Sequence, residues 1–170
     1  MVETMIWIDY ALAKRRARDL LRENGIRRPP VDPAEVAESV GLKVVFANFA
    51  PQDEGISGFY DPKLARITVN EDEFALRQNF TIAHELGHHV LHNDWAKSSK
   101  YRVMYRDPDA NNDTKYEKEA NTFAASLLVP RFMLDKYWED NSVEDLSRIF
   151  AVSVPVIRNR ISSEYGVVRR

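Results

Sequence analysis

Hydrophobic and polar positions recur at helical spacing near the start of the chain. Residues 9–24 show this spacing, and Gly25 follows as a helix stop. Asp32 supplies an N-cap acceptor and Pro33 a first-turn proline, which predicts a second, shorter helix ending near Gly41. The chain therefore opens with two helices joined by a proline-containing linker.

Alternating polarity with many β-branched and aromatic residues follows, a pattern typical of strands. The segments LKVVFANF, ISGFYD and ARITVN predict three strands, and the last two are joined by a turn across Asp61, Pro62 and Lys63. We expect these strands to form a small antiparallel sheet. An exposed edge of the hairpin would bind an extended peptide as an added strand.

The remainder of the chain is predicted to be mainly helical. Helical spacing covers residues 72–92 and residues 114–128, and Pro130 ends the second of these helices. Residues 93–113 are polar and irregular, and loops of this length usually have a functional explanation. Two or three short helices follow as far as residue 162. The fold class is therefore α+β, with helices around a small three-stranded antiparallel sheet.

Composition narrows the chemistry that the chain can perform. It has 170 residues, a net charge of -2 and no cysteine, so thiolate metal sites, disulfides and thiol nucleophiles are excluded. A 44% hydrophobic share is that of a globular protein, and no apolar run is long enough to span a membrane. We expect a cytoplasmic protein in which any metal is held by nitrogen and oxygen atoms.

All four histidines of the chain lie in the segment TIAHELGHHVLH, residues 81–92. His84 and His88 are four positions apart, so their rings lie on one face of a helix, and Glu85 completes the pattern H-E-x-x-H. Two such nitrogens suit a divalent metal, and the adjacent carboxylate suits a catalytic base. His92 is an alternative partner for His88, or a group that orients it. A polar helix face that collects histidines by chance is the competing interpretation.

A catalytic zinc site usually needs a third protein ligand. Helical-wheel geometry places Glu117 on the same face as Ala120 and Asn121, towards the interior, whereas Glu119 falls at the edge as an ordinary solvated side chain. A carboxylate facing a core is costly unless it is paired or bound to metal. We therefore predict Glu117 as the third ligand and Asn121 as a group that orients a histidine ring.

The segment SVEDLSRIFAVSVPVIRNRIS has the pattern of a helix-turn-helix hairpin. Arg158 and Arg160 lie on its second helix and would be the groups that read DNA. The alternative is a hairpin that packs its apolar residues against the core. We favour packing over DNA binding, because the net charge of the chain is negative and few arginines are available.

HELGHH followed by EKEANTFAASLLVP resembles the paired signature of the ImmA/IrrE-type metallopeptidases, and the likeness extends to about residue 162. The resemblance implies a zincin-like domain with Zn²⁺ held by His84, His88 and Glu117, and with Glu85 as catalytic base. It also implies action on a helix-turn-helix repressor or antitoxin encoded nearby. Such cleavage would switch on mobile elements, stress responses or toxin–antitoxin operons.

We accordingly expect one metallopeptidase domain over residues 1–170. It would comprise a catalytic core at 1–130, a helical subregion at 131–162 and a tail at 163–170. The donor that stabilises the reaction's oxyanion remains open among Tyr60, Tyr101, Tyr105 and His92. The competing function is a metal-containing module that regulates by binding a repressor or DNA without cleaving it.

Overall fold

The computed structural model describes residues 7–53, 55–98 and 114–169, together with the backbone of residues 104–105. Within these ranges no helix is long and apolar enough to cross a membrane. The elements, in chain order, are α1 (Tyr10–Glu23), α2 (Pro33–Ser39), β1 (Lys43–Ala47), β2 (Ile56–Asp61), β3 (Arg66–Asn70), α3 (Ala75–Ala96), β4 (Met104–Tyr105), α4 (Lys115–Leu128), α5 (Arg131–Leu134), α6 (Val143–Phe150) and α7 (Val154–Tyr165). The predicted α+β class is confirmed.

The first two helices begin at the capping residues that the sequence indicates. Asp9 accepts a hydrogen bond from the backbone amide of Leu12 at 2.8 Å, and Asp32 accepts one from Ala34 at 2.8 Å. Each bond satisfies an amide that has no partner within the first helical turn. The caps fix where α1 and α2 start, and α1 in turn lies across α4.

The sheet is mixed, so the prediction of an antiparallel sheet is wrong in part. Its strand order is β1-β3-β2-β4, and β3 pairs antiparallel with β2 but parallel with β1. The hairpin between β2 and β3 was predictable because a short turn forces antiparallel pairing. Strand propensity carries no information on direction, so the orientation of β1 could not be read from its residues.

The outer edge of the predicted hairpin is covered along the first half of β2. β2 pairs with β4 through Ile56 and Gly58, so β2 is an interior strand of the sheet. The expectation that this strand offers a free edge to a peptide is therefore wrong for its first half, residues 56–58. β4 lies within the segment that the sequence predicted to be irregular.

Helix α3 occupies the centre of the molecule, between the sheet and α4. Gly58 of β2 allows the sheet to approach it closely, because a Cβ at that position would lie 2.6 Å from Cγ2 of Thr81 and 2.7 Å from the carbonyl oxygen of Thr68. The side of α3 that faces the core is thereby enclosed by the sheet and by α4. Polar groups on that side are removed from water and need partners inside the protein.

The C-terminal hairpin packs against the body of the protein. Apolar side chains of α6 and α7, among them Leu146, Phe150 and Ile157, are fully buried. Arg160 is also buried, and its guanidinium donates to the carbonyl of Val129 at 3.0 Å. This arginine is therefore not available to a DNA phosphate, which agrees with the interpretation of the hairpin as a packing element.

Candidate metal centre

Three side chains from α3 and α4 converge on one point. Nε2 of His84 and Nε2 of His88 lie 3.1 Å apart. The carboxylate of Glu117 places Oε2 3.1 Å from the first nitrogen and Oε1 3.2 Å from the second. All three residues are at most 5% exposed. The structure thus brings together the three residues that the sequence indicated as metal ligands.

The spacing of these donor atoms fits a divalent metal. Two donors about 2.0–2.2 Å from one tetrahedral zinc ion are about 3.3–3.6 Å apart, close to the separations found here. Oε1 of Glu117 is buried and accepts no hydrogen bond, although it lies 3.2 Å from Nε2 of His88. A buried carboxylate oxygen is costly without a partner, and a cation among the three residues would supply it. Two imidazoles and one carboxylate can therefore hold a divalent metal ion.

Small residues at the crossing of α3 and α4 allow this convergence. A Cβ on Gly87 would lie 3.1 Å from a ring carbon of Phe123 and 3.3 Å from Cα of Ala120. Glycine inside a helix costs about 1 kcal/mol relative to alanine, and the close contact between the helices accounts for its presence. This contact sets the distance from the histidines of α3 to Glu117 of α4.

Asn121 orients the ring of His84. Its Oδ1 lies 2.8 Å from Nδ1 of His84, so the ring donates its Nδ1 proton to the amide oxygen. The lone pair of Nε2 then faces His88 and Glu117. A hydrogen bond to the far nitrogen is the usual way in which proteins fix the tautomer of a metal-binding histidine. The predicted orienting contact of Asn121 is thus present.

A chain of hydrogen bonds performs the same task for His88. Nδ1 of His88 lies 3.3 Å from Nδ1 of His92, and Nε2 of His92 lies 2.7 Å from Oε2 of Glu119. The backbone amide of Asp9 donates to Oε1 of Glu119 at 2.6 Å. When His92 donates to Glu119 and accepts from His88, Nε2 of His88 keeps its lone pair for a metal. The structure therefore links this ring to the start of α1.

The prediction that Glu119 is an ordinary solvated side chain is wrong. It is 5% exposed and spans the gap between α1 and α3 through the two hydrogen bonds to Asp9 and His92. A wheel drawn for α4 alone places Glu119 at an edge, but α1 covers that edge. The sequence did contain one signal of this role, because Glu119 lies midway between two predicted site residues, Glu117 and Asn121.

Helix α3 continues beyond its predicted end and bends at His92. It runs to Ala96, and His92 has the non-helical angles φ -135° and ψ 31°. Trp95 and Tyr116 stack with ring centroids 4.4 Å apart, and the ring of Tyr116 packs edge-on against His92 at 5.1 Å. The two aromatic side chains hold His92 in place at the bend.

Charges within the cluster favour a cation. Burial would lower the pKa of His84, but the protonated ring donates to Glu117 and is stabilised by the charges of Glu85 and Glu117, so this pKa is raised. Burial lowers the pKa of His88, so this ring is neutral. The two imidazoles hold the pKa of Glu117 below its usual value despite burial. An ionised carboxylate beside a neutral imidazole is the donor form that a metal requires.

Glu85 is fully buried on α3, where its charge acts on His84. The side chain of Tyr60 points to another face of α3, and its hydroxyl donates to Asn93 at 3.0 Å and lies 2.7 Å from Nδ1 of His89. Tyr101 lies outside the described residues, and for Tyr105 only the backbone position in β4 is described. The oxyanion roles suggested for the tyrosines and for His92 stay predictions.

Replacing Glu119 by glutamine is expected to weaken zinc binding by about 10–100-fold, the usual cost of losing a group that orients a metal ligand. A glutamine offers one oxygen where Glu119 accepts from both His92 and Asp9. Competition with a chromophoric chelator measures the affinity without reference to any activity. Glu139→Gln is the matched control, because Glu139 is exposed. Equal affinity of both variants would show that the Glu119 contact does not orient His88.

Comparison with known proteins places this geometry in a family. The family model for the IrrE N-terminal-like domain, Peptidase_M78, matches residues 37–162. The chain is 31% identical over 125 residues to the radiation response metalloprotease IrrE of Deinococcus deserti, covering 74% of this chain and 43% of that protein. It is 30% identical over 131 residues to the uncharacterized immunity region protein 2 of Bacillus phage phi105, covering 75% of each.

A solved structure shares the fold. The chain superimposes on a Mycobacterium tuberculosis transcriptional regulator with a TM-score of 0.65 and 21% identity, over 89% of this chain and 46% of that one. The chain thus spans less than half the length of that regulator and of the Deinococcus protein. With the matched region containing H-E-x-x-H and Glu117, the chain belongs to the ImmA/IrrE family of metallopeptidases.

Proposed function

We propose that the protein is a zinc-dependent endopeptidase that cleaves a regulatory protein, with a helix-turn-helix repressor or antitoxin as the substrate. The observation that carries the proposal is the convergence of His84, His88 and Glu117 beside the buried carboxylate of Glu85. The names of the two relatives support it, since one is a radiation response metalloprotease and the other belongs to a phage immunity region.

Each residue of the site has a separate role in the proposed hydrolysis. When bound by the two histidines and Glu117, zinc supplies a Lewis acid that polarises the peptide carbonyl and acidifies water. Glu85 takes a proton from the attacking water while the water oxygen bonds to the carbonyl carbon. The same carboxylate delivers that proton to the amide nitrogen as the carbon–nitrogen bond breaks. Asn121 and His92 keep the ligand rings fixed during these steps.

The burial of the site favours a second candidate function. His84, Glu85 and His88 are at most 1% exposed, so a substrate needs an opening that the described residues do not offer in this arrangement. A regulatory module that holds a structural metal and acts by binding would need no such opening. The Glu85 variant treated in the Discussion separates the two functions, because both retain the metal.

Cleavage of a repressor is the direct test. We expect the zinc-loaded protein, incubated with the purified helix-turn-helix repressor encoded nearest to its gene, to produce two fragments that sum to the intact mass. A chelator should stop the reaction and added zinc should restore it. Mass spectrometry identifies the scissile bond. An intact repressor under all of these conditions, with binding retained, would favour the non-proteolytic module.

A further inference from the structure

An open groove of about 1000 Å³ runs beside the metal centre between α1, the start of α3, α4 and α7. Its rim carries large apolar side chains that water reaches: Phe74 is 87% exposed, Tyr10 46% and Leu76 40%. Val152 and Val156 also line the groove and add to its apolar surface. Apolar side chains gathered in one exposed groove mark a binding surface more often than isolated ones do.

The groove is continuous with the metal centre. Asn121 and Phe80 both line it. The first contacts Nδ1 of His84 at 2.8 Å, and the ring of the second lies 6.5 Å from the ring of His84, centroid to centroid. The groove therefore reaches the side of this histidine opposite to the nitrogen that faces Glu117. A molecule bound there would be one side chain away from His84 without occupying the space among the three metal-binding side chains.

The charged side chains of the groove indicate that its partner is acidic. The lining includes Lys14, Arg77 and the buried Arg160, of which the last adds charge but no exposed donor, and, among the described residues, no carboxylate. Glu164 behind the lining lies 2.7 Å from Nζ of Lys14 and 2.6 Å from Nη1 of Arg160, so it offsets one positive charge. Cations therefore outnumber carboxylates among the side chains that line the groove, although the whole chain carries -2. A partner with apolar and acidic side chains complements this surface.

We infer that this groove is a docking site for an acidic, apolar segment of the protein substrate, separate from the scissile bond. This inference rests on the proposed function in one respect, namely that the segment belongs to the substrate of the peptidase. A docking site apart from the reacting atoms adds binding energy that the ground state and the transition state share. Losing it raises KM or Kd and leaves kcat unchanged.

Phe74→Ser is the test variant, and Phe46→Ser is its control. Phe74 is the N-cap of α3 and serine is a favoured N-cap, so the helix is retained. Phe46 is 48% exposed on β1 and does not line the groove. The probes are short fluorescein-labelled peptides of leucine and phenylalanine with glutamate, or with lysine in its place. Fluorescence anisotropy with the zinc-loaded protein gives the Kd.

We expect the glutamate peptide to bind at least about tenfold more tightly than the lysine peptide, and Phe74→Ser to weaken it by about tenfold or more. Phe46→Ser should leave the Kd unchanged. Asn159→Glu adds a negative charge at an exposed lining residue and, on its own, should also weaken binding of the glutamate peptide. Salt should weaken it as well. Equal binding of both peptides, or unchanged binding to Phe74→Ser, would overturn the inference.

The docking site and the proposed function fail in different ways. If Phe74→Ser binds the glutamate peptide weakly but no repressor is cleaved by the unaltered protein, the docking site stands and the peptidase proposal fails. If a repressor is cleaved and Phe74→Ser has an unchanged KM, the peptidase proposal stands and the docking site fails. Displacement of the peptide by a single-stranded oligonucleotide would assign the groove to nucleic acid and overturn the inference.

Discussion

Replacing Glu85 by glutamine is expected to lower kcat for repressor cleavage by about 10²–10⁴-fold, the range usual for a general base. Glutamine has the shape of glutamate but takes no proton at neutral pH, so the attacking water loses its base. Glu85 is not among the three residues whose donor atoms converge, so zinc content should not change. Cleavage rates at saturating substrate and zinc analysis of the purified variant measure the two effects.

The same variant separates a peptidase from a binding module. A module that acts by contact alone should regulate equally well when an uncharged amide replaces the carboxylate of Glu85. Glu139→Gln is again the control, since Glu139 is exposed and lies outside the site. Full cleavage by the Glu85→Gln variant would remove this residue from the mechanism. Loss of zinc together with activity would instead give Glu85 a structural role in the metal centre.

The core of the site was predictable because helical periodicity is a local property. Two residues four positions apart on one helix must lie on the same face, so His84 and His88 could be paired from the sequence alone. Glu117 required one further step, namely that a carboxylate on the apolar face of a helix needs a partner. Both steps use only the geometry of a single helix, and the contact between α3 and α4 agrees with them.

The parts that the sequence could not predict depend on which elements become neighbours. Glu119 is buried because α1 covers α4, and nothing within α4 indicates that contact. The orientation of β1 also depends on which strands become neighbours, because β3 lies between β1 and β2. Strand propensity does not indicate whether two strands pair parallel or antiparallel. The bend at His92 lies where the sequence pattern predicted the helix to end, whereas α3 continues beyond it to Ala96. These features follow from tertiary packing that overrides local pattern.

Replacing Glu117 by alanine is expected to weaken zinc binding by more than the 10–100-fold loss of an orienting group, because a ligand itself is removed. Ligand binding stabilises a fold by RT ln(1 + [L]/Kd). With zinc at a thousand times the Kd, the unaltered protein would gain about 4 kcal/mol in free energy of unfolding, and a variant with a hundredfold weaker site about 1.4 kcal/mol. Melting temperatures with zinc and with chelator measure the difference.

The melting comparison also separates the two possible ligand sets on α3. Glu119 cannot replace Glu117, because both of its oxygens are held by Asp9 and His92 on another side of the helix. If Glu117→Ala kept the full gain from zinc, the metal would have to bind elsewhere, and the pair His88 and His92 would be the alternative. Nδ1 of His92 lies 3.3 Å from Nδ1 of His88, so a metal on that pair would replace the hydrogen bond between the two rings. The pair lacks the carboxylate that Glu117 adds to His84 and His88, and for this reason we expect zinc to depend on Glu117.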